Sequence, residues 1–459
     1  MKILLIQPQS NPRSKIFDSF ILHEPLGLEY VAAGVRDHHD VRILDLRLEG
    51  GLEENLKSFQ PDIVGVTAFT VQMKNALEIL KAVKRHDGRI MTVVGGYHAT
   101  ASPRDYDVDC VDVVVIGEGV FAFRDIVTIY ERRREIRLDD LGNIPGIAFR
   151  SNGKLHFTPF RVYPDVDLLP MPARELTGKH RNGYFNTWMK PLSMIRTSVG
   201  CAFRCNFCLQ WKMSGGKYHA RDPRLVVEEL ASIREPYVSF ADDETLLDTA
   251  RMSRLADMIR EARIRKKYRF FARADTVVRH PDLIRKWRDI GLSSLLVGFE
   301  SYKDDDLKFL NKKTSTKTNE QAIRILQENK IEIIADFIIR QEYDEANFEE
   351  LRAYVRKLRL TNPKFPILTP FPGTDLYESI KEQILTDDYD LYDLRHTILP
   401  TKLPVEKFYE EVNKLKNNTV SYRDKIRNLR NRPVDEWLPV LLWTVKSELI
   451  KYKFDYRAA

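Results

Sequence analysis

The chain has 459 residues, 43% of them hydrophobic, enough for more than one core, so length alone predicts two or three domains. Lysine and arginine outnumber aspartate and glutamate by 73 to 66, a net +7 spread along the chain rather than gathered into one basic arm, and nothing in that balance requires a nucleic-acid partner. No run of eighteen uncharged apolar residues occurs, Met1-Lys-Ile-Leu-Leu-Ile6 runs into Gln7-Pro8 without a small-residue cleavage site, and four cysteines make no disulfide framework at this length, so a cytoplasmic protein is expected.

Residues 1–135 alternate strand-like and helix-like segments. Strands are expected at Lys2–Gln7, Val41–Leu46, Ile63–Thr67 and Arg89–Gly95, with helices over Gly27–Arg36, Leu52–Phe59 and Met73–Arg85 between them. This pattern predicts a doubly wound parallel sheet, in which ligands bind beyond the carboxyl ends of the strands. Those ends carry Thr67, Gly95-Gly96-Tyr97-His98 and Gly117-Glu118-Gly119. The glycines would let a large ligand lie on bare backbone, although such turns also occur wherever a strand passes tightly into a helix. No Gly-x-Gly-x-x-Gly follows the first strand, so a dinucleotide fold is not indicated. His98 reads either as a hydrogen-bonded imidazole or as a metal ligand.

Residues 136–188 are rich in proline and read as a connector containing a small hairpin at Ile147–Arg150 and Lys154–Phe157. Within residues 189–385 the alternation resumes, with strands expected at Met194–Thr197, Tyr237–Ala241, Arg269–Ala272, Ser294–Phe299, Glu332–Ile339 and Lys364–Leu368. Six repeats fit a partial (β/α)6 barrel, whose functional groups follow the strands. They include Asp242, Asp243, Glu244, Arg273, Glu300 and Ser301. Consecutive carboxylates also occur in solvated turns, and Arg273 and Glu300 would equally suit a barrel ion pair.

Cys201, Cys205 and Cys208 follow the first of these strands within eight residues. Thiolates favour iron-sulfur clusters and zinc, and a structural site normally closes with four ligands. Cys110 lies about ninety residues upstream in a segment that reads as a buried strand edge, a poor fourth ligand. A cubane on three thiolates keeps one iron open. Zinc with His219 as the fourth ligand is the alternative, without the paired spacing typical of such sites. Phe203 and Phe207 would shield a cluster, and Gly200 would let the backbone come close to it.

Residues 386–459 form a helical extension with aromatic stretches at Tyr389–Tyr392 and Trp437–Trp443. The segment from Glu436 to Phe454, ending in several lysines, reads either as a helix over the barrel mouth or as one lying on a membrane surface.

The run Cys-x-x-x-Cys-x-Phe-Cys after Pro191-Leu-Ser-Met-Ile-Arg-Thr197 resembles the signature of radical S-adenosylmethionine (SAM) enzymes. The Val-Gly-Val-Thr strand and the Gly-Gly-Tyr-His and Gly-Glu-Gly turns resemble the cobalamin-binding domain that precedes the cluster domain in one class of them. The resemblance implies three cofactors, a 4Fe-4S cluster on Cys201, Cys205 and Cys208, S-adenosylmethionine and cobalamin. It also implies methylation of an unactivated carbon, with electrons from a donor such as ferredoxin or flavodoxin. In the family pattern Phe207, Asp242, Asp243, Arg273, Glu300 and Ser301 would meet S-adenosylmethionine, and Thr67, Gly95, Gly96, His98, Gly117, Glu118 and Gly119 the corrinoid. Pro8-Gln9-Ser10-Asn11-Pro12 stands where cobalamin mutases carry Asp-x-His-x-x-Gly, so lower coordination by that histidine is not expected.

Glu24–Ala33 and the stretch from Asp336–Phe348 to Leu368–Thr374 look most like the hopanoid C-3 methylase subgroup, implying a lipid or other small-molecule substrate. The usual Gly-x-Pro-x-Glu turn after the fifth strand is absent, which puts the adenine and methionine contacts there in doubt. Two rivals stand beside methylation: a cobalamin-dependent radical cyclisation, ring contraction or coupling, and a corrinoid carrier or sensor with a structural cluster.

Overall fold

The computed structural model describes the chain apart from residues 12–17, 134–137, 152, 164, 422, 425, 427–428, 430–433 and 452–459. Its first sheet is built from β1 (Lys2–Gln7), β2 (Asp40–Asp45), β3 (Ile63–Thr67), β4 (Met91–Gly95), β5 (Val113–Val115), β6 (Ile147–Ser151) and β7 (Lys154–Phe157), in the order 2-1-3-4-5-6-7. The first five are parallel, with β1 central enough that Ile3 registers with both Val41 and Ile63. β1 is apolar without alternation because both its faces are covered. Ile3 and Leu5 pack with Ala32, Phe123 and Ile126 from the helices Leu26–Ala33 and Gly119–Arg133, while Leu4 and Ile6 meet Leu56, Phe59, Ala76 and Leu80 from Leu52–Phe59 and Met73–His86. Burying one such side chain stabilises the fold by about 1.5–3 kcal/mol, so two-sided burial fixes the doubly wound arrangement. Cys110 lies in the second of these cores, in a turn rather than at a strand edge.

The hairpin β6–β7 is not an independent part of the connector. Val113 pairs with Phe149 and Val115 with Ile147, so the hairpin extends the first sheet with antiparallel strands through Phe157. The backbone groups along β5 supply a ready edge for it.

The second sheet is parallel and sequential, β8 (Leu192–Ile195), β9 (Tyr237–Phe240), β10 (Lys267–Ala272), β11 (Leu292–Glu300), β12 (Glu332–Phe337) and β13 (Asn362–Lys364), the partial barrel expected from six repeats. Tyr268, Phe270 and Ala272 face the surrounding helices in one large core, and Lys267, Arg269 and Phe271 take the other face. Pairing is displaced by one residue between Gly298 and Glu300, where Glu300 has φ +62°. An added Cβ at Gly298 would lie 2.2 Å from Glu300 Oε1, so a larger residue there would have to displace the Glu300 carboxylate.

A buried charged network joins the two sheets. Glu24 and Glu29 from the amino-terminal half meet Arg174 and Arg181 of the segment 174–183. Arg174 Nη2 then donates to Glu229 Oε1 at 2.6 Å, and Arg181 Nε donates to Glu235 Oε1 at 2.6 Å. Both glutamates of the amino-terminal half are buried, and Glu29 Oε2 has no hydrogen-bond partner. Burial, with the Glu24 charge second, pushes the Glu29 carboxyl up from 4.5 to about 8. The folded chain therefore binds a proton at Glu29 that the unfolded chain has already released. The stability tied to it is fully present below pH 4.5 and is lost as pH rises through about 8. Thermal melting of Glu29→Gln, which is permanently neutral, is expected to gain on the wild type between pH 6 and pH 9; parallel curves would contradict this.

The carboxyl-terminal extension is divided in its roles. Helix Val405–Asn418 packs on helix Glu345–Lys357, with the Phe348 and Phe408 rings 5.6 Å apart. Helix Trp437–Lys451 does not cover the barrel mouth. Val440 and Trp443 pack with Trp188, Leu192 and Tyr237, and Lys267 Nζ lies 3.2 Å from Glu436 Oε1, all at the amino ends of the strands. The mouth is reached instead by residues 388–394, whose Asp388 and Asp390 pair with Lys74 of the first domain. Residues 452–454, the end of the lysine-rich segment, lie outside the described residues. Among the described residues no helix is long and apolar enough to cross a membrane.

Candidate functional site

The cysteine loop leaves β8 through Thr197 and a two-residue strand, Ser198–Val199, that pairs with His219–Ala220. Gly200 has φ +87°, and an added Cβ would sit 2.1 Å from the Lys217 carbonyl oxygen, so no other residue fits. Two successive carboxylates after β9 hold this loop. Asp242 Oδ1 accepts from Thr197 N at 2.7 Å and Ser198 N at 2.9 Å, and its Oδ2 accepts from Thr197 Oγ1 at 2.6 Å. Asp243 Oδ2 accepts from Gly200 N at 2.7 Å. Asp242 is therefore spent on the loop rather than offered to a ligand, whereas Asp243 lines the open cavity, its carboxyl pushed up to about 6 by burial.

The three thiols are buried or half-buried. Burial pushes Cys201 up to about 11 and Cys208 up to about 12. Thiols so placed lose their protons only to a strongly electropositive partner, which a metal centre provides. Among the described residues no three or more His, Cys, Asp or Glu side chains gather to hold a single metal ion. A closed zinc site would need a fourth protein ligand beside the three thiols. His219 stacks on Tyr163 at 5.0 Å instead of joining the thiols. A cubane spreads its thiolates over a wider body, and a single loop of three suits it. Phe207 contributes an apolar wall with Leu310, Ile338 and Leu376.

Beside the loop, the Arg273 guanidinium stacks on Phe203, 3.6 Å from the ring centroid, with Nη1 3.8 Å from Cys205 Sγ. Its remaining donors go to Asp275 Oδ1 at 2.9 Å and the Lys312 carbonyl at 2.6 Å. Glu300 Oε1 accepts from Lys312 Nζ at 2.6 Å, and Ser301 Oγ donates to Asp306 Oδ2 at 2.8 Å. Arg273 and Glu300 thus form barrel ion pairs, with Asp275 and Lys312, and Ser301 is hydrogen-bonded to Asp306. Glu244 is the exposed need in this region. It is buried, its Oε1 has no partner, and burial pushes it up to about 8.

Between the two sheets lies a cavity of about 820 Å³. Thr67, Gly95, Gly96, Gly117, Glu118 and Gly119 form its wall on the first domain, as expected for a large ligand on bare backbone. Gly96 has φ +96° and Gly117 φ +84°, both left-handed. Leu5, Gly65, Val93, Val115 and Phe123 of the same domain also line the cavity and give it an apolar stretch. The opposite wall carries Met194, Arg196, Val199, Ala241 and Asp243 of the barrel, and Tyr392 and Leu394 close one side. The shape and chemistry fit a corrinoid on the glycine turns and S-adenosylmethionine on the barrel side.

His98 is not part of this surface. It is fully buried, its Nδ1 3.2 Å from Thr70 Oγ1 and its Nε2 3.1 Å from Asp105 Oδ2, so both nitrogens are used. It is the hydrogen-bonded alternative, not a metal ligand. His98→Gln is expected to leave the visible spectrum of bound cobalamin unchanged while costing about 1–3 kcal/mol of stability through the lost buried hydrogen bonds; a shifted spectrum would restore His98 as a ligand. Sequence reasoning missed His23, which lines the cavity. Asn186 Nδ2 lies 2.8 Å from its Nε2, and burial with the Arg269 and Arg47 charges pushes it down to about 3, keeping it neutral. Only its spatial neighbours reveal this.

Residues 20–127 match the B12 binding domain and residues 195–355 the radical SAM superfamily, together more than half of the chain. A hopanoid C-3 methylase of Methylococcus capsulatus is 27% identical over 92% of this chain and 80% of its own length. An anaerobic magnesium-protoporphyrin IX monomethyl ester cyclase of Cereibacter sphaeroides is 28% identical over 81% of this chain and 61% of its own length. The fold superposes on OxsB, a cobalamin-dependent S-adenosylmethionine radical enzyme solved with aqua-cobalamin and S-adenosylmethionine bound, with a TM-score of 0.74 at 17% identity, covering 98% of this chain and 72% of that one.

Proposed function

The chain belongs to the cobalamin-dependent radical SAM enzymes, with a B12-binding module ahead of a radical SAM module, and from that premise we propose that it methylates an unactivated carbon of a small-molecule or lipid substrate. One observation carries the reading: a single cavity is walled by the glycine turns of the first module and by the strand ends and cysteine-loop approach of the second. When bound, the cluster with S-adenosylmethionine supplies hydrogen-atom abstraction and the corrinoid supplies a methyl group. Cys201, Cys205 and Cys208 would hold the cluster, Asp242 and Asp243 fix their loop, and the Gly95-Gly96 and Gly117-Glu118-Gly119 turns would seat the corrinoid. The protein's contribution is orientation and exclusion of water, for which Met194, Val199 and Leu394 supply apolar walls.

The 27% identical hopanoid methylase makes hopanoid lipids the first substrates to try. A reducing cytoplasm suits an oxygen-sensitive cluster, and a ferredoxin or flavodoxin would serve as electron donor. The cyclase relative keeps radical cyclisation as the second reading. Anaerobic incubation with methyl-labelled S-adenosylmethionine and a lipid extract tests both. A product heavier by one labelled methyl, with S-adenosylhomocysteine and 5′-deoxyadenosine, is expected. Deoxyadenosine with an unlabelled product would favour cyclisation, and no deoxyadenosine would overturn both.

A further inference from the structure

The cavity wall contains a guanidinium that, among the described residues, is bonded to no carboxylate. Arg196 directly follows β8, and its guanidinium faces the Tyr30 ring at 5.2 Å from the centroid. It lines the cavity, and among the described residues its side chain takes part in no hydrogen bond or ion pair. The arginines around it are different. Arg174, Arg221 and Arg273 each hold a carboxylate. The two acids whose charges reach Arg196 are Glu118 and Asp243, and both are engaged elsewhere. Both Glu118 oxygens accept from Val120 N, at 3.0 and 3.1 Å, and Asp243 Oδ2 accepts from Gly200 N at 2.7 Å.

An arginine does not release its proton, and a cation drawn away from water without a partner is costly. Such a group is retained where a ligand supplies the missing anion, and a planar guanidinium suits two-oxygen recognition of carboxylate or phosphate. The cavity it lines also carries apolar groups, Met194 and Val199 among them. We propose that Arg196 anchors an acidic group, a carboxylate or phosphate, at one end of an otherwise apolar substrate. The inference rests on the reading of this cavity as the substrate site and narrows the substrate from lipids in general to acidic amphipaths.

The test uses the full chain, reconstituted anaerobically with its cluster and hydroxocobalamin, and measures binding of decanoate, decyl phosphate and decan-1-ol by calorimetry. The wild type is expected to bind the two acids at least tenfold more tightly than the alcohol. Arg196→Gln should erase that preference and Arg196→Lys restore part of it. Thermal melting of Arg196→Gln should change little, since among the described residues the side chain makes only the contact with the Tyr30 ring and no hydrogen bond or ion pair. Equal binding of acid and alcohol by the wild type, no binding of any of the three, or a preference that survives in Arg196→Gln would overturn the proposal. So would weakened binding of cobalamin or S-adenosylmethionine alone, which would assign the cation to a cofactor. Because the readout is binding without turnover, failure here leaves deoxyadenosine formation, and with it the proposed reaction, standing.

Discussion

Cys205→Ala is expected to reduce 5′-deoxyadenosine formation to background in the anaerobically reconstituted protein and to lower bound iron. Cys205 is the most buried of the three thiols and stands at the centre of its loop, its carbonyl accepting from Cys208 N at 3.2 Å and Trp211 Nε1 at 3.2 Å. Those bonds come from the backbone and survive the substitution. Removing one sulfur leaves a small void, about 1 kcal/mol by analogy with deletion of a methyl-sized group, so the metal-free variant should melt close to the wild type. Loss of turnover with an intact fold is the result that assigns the thiol to the cluster. Retained deoxyadenosine formation would remove the reaction class altogether.

Asp242→Ala is expected to act on cluster assembly instead. The carboxylate accepts three hydrogen bonds from Thr197 and Ser198, immediately ahead of the cysteine loop. Truncation strands three buried donors, each worth about 1–3 kcal/mol, so an overall loss of about 3 kcal/mol or more is expected together with a falling iron-to-protein ratio. The alternative role, holding the amino group of S-adenosylmethionine, makes a different forecast. It would leave iron content and melting unchanged and weaken only the affinity for S-adenosylmethionine, so metal analysis beside equilibrium binding separates the two.

Much of the architecture was legible because burial leaves a periodic mark. Ile63–Thr67 and Leu52–Phe59 were bounded correctly from the chain alone, since a short β-branched run and an amphipathic octet each have one stable form. The cysteine spacing was equally plain, because ligands on one loop are adjacent in sequence. Periodicity says which face is covered but not by what. Helix Trp437–Lys451 therefore gave its apolar face away and concealed its place at the barrel base, and the Ile147–Phe157 hairpin concealed the sheet it completes. The site divided along the same line. The glycine turns declared themselves through missing side chains, whereas the bracing role of Asp242, the engaged nitrogens of His98 and the unpaired Arg196 depend on neighbours tens of residues away.

The Glu24–Arg181–Glu235 chain of charges has a practical corollary for anyone dissecting the molecule. A cut ahead of residue 174 would leave the Glu24 carboxylate with no guanidinium beside it, and the liberated fragment would have to hydrate it or protonate it, as Glu29 already is protonated below about pH 8. Chimeras that exchange the amino-terminal module between relatives should carry the 174–183 segment across with it. Otherwise the graft inherits acids whose counterions stayed behind.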